Sequence, residues 1–70
     1  MNTMEVLVLS AGEKTPAGGT RAEIYYFDSN DRPAPKHKAA WAIIRELDDQ
    51  GELIQETVGH LDNSRGAKKI

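Results

Sequence analysis

Between residues 39 and 62 the chain reads AAWAIIRELDDQGELIQETVGHLD, and six of its eleven acids lie there with a single base, Arg45. Glu46, Asp48, Asp49, Glu52, Glu56 and Asp62 bring six carboxylates within 17 positions of one another. Closely set carboxylates can share protons in acid–base catalysis, hold a hard cation, or present an anionic surface to a basic partner.

The first two uses find no support in the sequence. A calcium loop needs an Asp-x-Asp-x-Asp-Gly ladder and a closing Glu, and DDQG (residues 48–51) lacks that ladder. His37 and His60 show no zinc-ligand spacing, and the chain has no Cys, which removes thiolate metal sites, thiol catalysis and disulfides together. SAGEKT (residues 10–15) resembles part of a phosphate loop, but Glu13 separates Gly12 from Lys14 and no earlier Gly stands in the window. Ser10, Ser29 and Ser64 sit in no nucleophile-elbow context. Catalysis also needs a concave, water-excluding site, which a chain of 70 residues rarely encloses alone. The expectation is a protein that is not an enzyme and uses no cofactor and no metal.

The third use fits the charge map. Residues 1–20 carry −1, residues 21–38 carry +1, residues 39–64 carry −5 and residues 65–70 carry +3, for a net −2. On an extended strand Glu52 and Glu56 point the same way, about 13–14 Å apart, with Asp48 and Asp49 at the adjoining turn. Such a patch suits a protein partner with an Arg- or Lys-lined channel that normally holds DNA or RNA. Glu46, Asp48, Asp49, Glu52 and Glu56 are therefore the expected contact residues, with Tyr25 and Trp41 as apolar anchors of the kind enriched at interfaces. Direct nucleic-acid binding is disfavoured: Arg21, Arg32, Lys36 and Lys38 offer a modest basic groove, but the acids nearby repel phosphate.

In size, acidity, lack of Cys and lack of any catalytic motif, the chain resembles the small phage-encoded inhibitors, anti-CRISPR proteins among them. No residue motif defines that group, so the resemblance assigns no residue a role. It implies an α+β miniature that blocks the nucleic-acid-binding surface of a larger complex in a host cytoplasm. Arg65, Lys68 and Lys69 depart from a uniformly acidic nucleic-acid mimic. Two other functions compete: a structural or accessory protein that self-associates through a sheet edge, and a weak nucleic-acid binder.

Elements must position these residues, and one small domain is all the length allows. It spans residues 1–64, followed by a basic tail over residues 65–70. MNTMEVLVLS has no basic leader region, and its apolar run is too short to cross a membrane, so the chain is expected to be soluble and cytoplasmic, as a monomer or homodimer. MEVLVLS (residues 4–10) predicts a strand, and RAEIYYFD (residues 21–28) a second one antiparallel to it. Three successive aromatics on that strand must divide between its two faces, so at least one of Tyr25, Tyr26 and Phe27 leaves the core.

Residues 39–50 admit two readings. As a helix, Ala40, Ile43, Ile44 and Leu47 form an apolar stripe and Gly51 ends it, although Lys36, Lys38, Asp48 and Asp49 all oppose the helix dipole. As a hairpin, residues 48–51 form the turn, and FDSNDRP and LDDQGEL look like two versions of one turn. A lone sheet needs a cover, and this is the only segment able to supply one. The favoured architecture is therefore α+β, an antiparallel sheet of three strands in the order β-β-α-β, with ELIQETV (residues 52–58) as the third strand. The alternative is a mostly β chain turning between Asp48 and Gly51.

Overall fold

A computed structural model describes residues 2–61. They form four strands, β1 (Met4–Val8), β2 (Arg21–Phe27), β3 (Trp41–Leu47) and β4 (Leu53–His60), with one 3-10 turn at Lys36–Lys38. The strands make a single antiparallel sheet in the order β1-β2-β3-β4, so each pairs with its neighbour in sequence. The expected basic tail, residues 65–70, lies outside the described residues.

The expected α+β fold is overturned. Among the described residues no α-helix covers the sheet: the segment predicted as a helix is β3, and the architecture is mostly β. Two effects decide this locally. Trp41, Ile43 and Ile44 are aromatic or β-branched and pack well on a pleated surface. Asp48 also begins a turn that closes on itself. Its carbonyl accepts the Gly51 N–H at 3.0 Å, its N–H donates to the Glu52 carbonyl at 2.9 Å, and its Oδ1 accepts the Gln50 and Glu52 N–H groups at 2.9 Å each. Gly51 takes φ 83°, which only Gly adopts without cost. Ile43 and Ile44 do point to opposite faces, as strand geometry demands, and both are half-buried.

The layering expectation fails because connections do the work assigned to a helix. Read across the register, the face that the connections partly cover holds the rows Glu5–Ile24–Ile44–Thr57, Leu7–Ala22–Glu46–Gln55 and Tyr26–Ala42–Gly59, with Glu5, Leu7, Gln55 and Thr57 left exposed toward the two edges. The β2–β3 connection lays Ala39 on this face, where Tyr26, Ala39 and Ala42 form the core with Ile24 and Leu61 packed against it. The β1–β2 connection closes the other end, its Thr20 N–H donating to the Leu47 carbonyl at 2.9 Å. Alanine dominates this core because backbone, not a bulky helix, is what packs there, and no large side chain is fully buried among the described residues.

Candidate functional site

The opposite face of the same sheet has no such cover among the described residues. Four rows cross it: Met4–Tyr25–Ile43–Val58, Val6–Glu23–Arg45–Glu56, Phe27–Trp41–His60 and Val8–Arg21–Leu47–Leu53. The first is apolar, the second mostly charged and the third aromatic. Val6 is 52% exposed and Val58 59% exposed, at the two flanks of this surface. Uncovered apolar area of this kind on a small protein usually marks a contact site.

The side chains on this face are ordered by one another. Arg45 Nε donates to Glu56 Oε2 at 2.7 Å, and its guanidinium lies 5.8 Å from the centre of the Tyr25 ring. The Tyr25 hydroxyl donates to Glu23 Oε1 at 2.9 Å, so Glu23, Tyr25, Arg45 and Glu56 form one connected strip. The bond to Glu23 is the main reason the Tyr25 phenol is held above its ordinary pKa, and Glu56 in the same way raises Arg45. Phe27 and Trp41 stack with centroids 4.5 Å apart and planes 18° from parallel, while Trp41 Nε1 donates to Asp31 Oδ1 at 3.0 Å.

The structure divides the expected contact residues into three groups. Tyr25, Trp41 and Glu56 meet on the open face. Asp48, Asp49 and Glu52 sit at the β3–β4 turn, where Asp48 is committed to backbone N–H groups while Asp49 and Glu52 are exposed. Glu46 faces the other way and is buried at 6% exposure. Its Oε1 accepts the Ala17 N–H at 3.0 Å, and its Oε2 receives the Gln55 amide at 3.4 Å. The Thr15 hydroxyl and then the Ala17 N–H hold its carboxyl below the usual glutamate range, against the effect of burial. Glu46 thus ties the β1–β2 connection to the sheet.

Sequence reasoning left out Glu23, Arg45 and the apolar residues Val6, Ile43 and Val58. The turn alone does not reveal the pair: with Leu47 opposite Leu53 an unbroken ladder sets Arg45 against Gln55, and the register shift between Glu46 and Leu47 brings Glu56 there instead. On β2 the aromatics divide as strand geometry requires, Tyr26 entering the core and Tyr25 and Phe27 the open face. Among the described residues no three His, Asp or Glu side chains are placed to hold a metal ion, and no helix is long and apolar enough to cross a membrane. No protein-family model, no curated protein and no solved structure matches the chain.

Proposed function

We propose that this chain is a non-enzymatic protein-binding module that contacts its partner through the open face of the sheet. The carrying observation is the row Met4–Tyr25–Ile43–Val58, half-buried along its first three residues and exposed at Val58, beside a pre-ordered strip of Glu23, Arg45 and Glu56. Side chains already held by neighbours lose little freedom on binding, which favours affinity. The partner is a protein with a basic and partly apolar surface of the kind that holds nucleic acid, and the chain acts by occupying it. Asp49 and Glu52 support this sign of charge, since neither has a cationic partner among the described residues.

The test is competition. The captured partner is bound to the immobilised chain after nuclease treatment, then challenged with a DNA duplex and with salt. The reading expects displacement by DNA, and loss of the partner in both Val58→Asp and Asp49→Lys/Glu52→Lys. Val58 reports on the open face and the second variant on the charge, and all three positions are exposed, outside the core. A partner that survives both substitutions and is indifferent to DNA overturns the reading.

A further inference from the structure

We infer that β1 is a self-pairing edge, through which two copies of the chain join their sheets into one of eight strands. This does not rest on the function proposed above, because it uses the rim of the sheet and not its face.

The backbone supplies the geometry. Tyr26 N–H donates to the Thr3 carbonyl at 2.9 Å and Leu9 N–H to the Thr20 carbonyl at 3.0 Å. Between those bonds the β1–β2 register runs without a break from Met4↔Tyr25 to Val8↔Arg21. Bonding direction alternates along an antiparallel strand, so Glu5 and Leu7 turn their backbone groups to β2. Met4, Val6 and Val8 turn theirs outward, with no strand beyond them among the described residues.

Those three outward positions are self-complementary. A second β1 laid antiparallel places Val6 opposite Val6 of the other copy, and Met4 opposite its Val8, so every outward N–H and carbonyl finds a partner. The local two-fold axis runs perpendicular to the sheet, so the open faces of both copies continue on one side. All side chains meeting there are apolar, including Val8, at 72% the most exposed of the large apolar residues. The sole charge on β1, Glu5, is on the other face and is turned back toward β2, accepting the Tyr26 hydroxyl at 2.7 Å. Opposite it stands Leu7 of the other copy, not a second carboxylate.

Exposed edges normally carry a device against such pairing: a charge, a proline, a bulge or a short strand. The other edge, β4, has three features that weaken pairing. Its register with β3 shifts between Glu46 and Leu47, Glu56 stands mid-strand, and Gly59 interrupts the side chains. On β1 the outward positions carry no charge, no proline and no bulge; its five residues limit how much edge is offered, and MEVLV is otherwise of high β-propensity. A junction of five-residue strands is smaller than a standard interface, so the dimer is expected to be weak, with dissociation in the range of about 10 μM to 1 mM.

The experiment is amide hydrogen exchange of the full chain, read residue by residue, with mass by sedimentation equilibrium over that concentration range. The dimer predicts a mass rising from 7.7 kDa toward 15.4 kDa, twice the chain mass. Met4, Val6 and Val8 amides should exchange about tenfold more slowly at the high end than at the low end. Val6→Pro removes an outward donor and no bond to β2, and should hold the mass at one chain; Val58→Pro makes the same change on β4 and should leave the dimer intact. A mass that stays at one chain, with the three amides exchanging freely throughout, overturns the inference. So does dissociation by the Val58 variant and not by the Val6 variant. If Val6→Pro fails to fold, the unaltered chain's exchange pattern still decides.

Discussion

Asp28 and Asp48, twenty positions apart in sequence, close the same hydrogen-bonded turn at opposite ends of the sheet. Asp28 Oδ1 accepts the Asn30 and Arg32 N–H groups, and its carbonyl accepts that of Asp31, just as Asp48 serves Gln50, Glu52 and Gly51. Gly51 takes φ 83° at the position where Asp31 takes φ 64°. The likeness of FDSNDRP and LDDQGEL is therefore structural.

Asp48→Ala removes an acceptor for two backbone N–H groups and should cost about 1 kcal/mol, measured by urea unfolding. Asp48→Asn keeps an oxygen in place and should cost clearly less. Equal losses would mean that charge, not hydrogen-bond geometry, holds the turn.

Glu46 has a lowered folded pKa, so its contribution to stability is complete above the ordinary glutamate value of 4.5 and fades as pH falls through the lower folded value. Unfolding curves between about pH 5 and pH 2 should lose part of their acid sensitivity in Glu46→Gln. An unchanged acid limb would show that the Thr15 and Ala17 contacts do not favour the charged form.

Tyr26 shifts the other way. Burial, then its bond to Glu5, pushes the phenol up to about 12 from an ordinary 10.0. The stabilisation is complete below pH 10 and lost as pH rises through about 12. Ultraviolet titration should show Tyr26 ionising only near 12, together with unfolding, and Tyr26→Phe should remove that alkaline step.

Gly19 is needed for close approach. A Cβ added there would lie 2.5 Å from the Leu47 carbonyl oxygen, a backbone atom that cannot step aside alone. Gly19→Ala should destabilise by about 1–3 kcal/mol, whereas Ala at Gly59, where a Cβ meets nothing within 4 Å, should be nearly neutral in the same thermal assay. Equal melting shifts would show that the close approach of the Leu47 carbonyl does not require Gly at position 19.

Short-range chemistry is what could be read along the chain. A run rich in Val and Leu made β1 legible, alternation made β2 legible, and Pro33 and Pro35 marked the loop after it, while Asp48 and Gly51 offered a turn only as the alternative to a helix ending at Gly51. The charge bias of residues 39–64 was legible too, since it depends only on composition. Which side each residue faces, and what packs on the sheet, depend on contacts between segments distant in sequence. The stripe of Ala40, Ile43, Ile44 and Leu47 satisfies helix spacing and also supplies a strand apolar on both faces, and local periodicity does not separate the two. The choice fell to β2 and β4, which pair with β3 on either side, and to Ala39, which fills the place a helix would have taken. The same strand geometry split the acids that sequence had grouped. Glu46 and Glu56 point to opposite faces, one bound to a connection and the other to Arg45, because successive side chains on a pleated strand alternate while charge along a sequence does not.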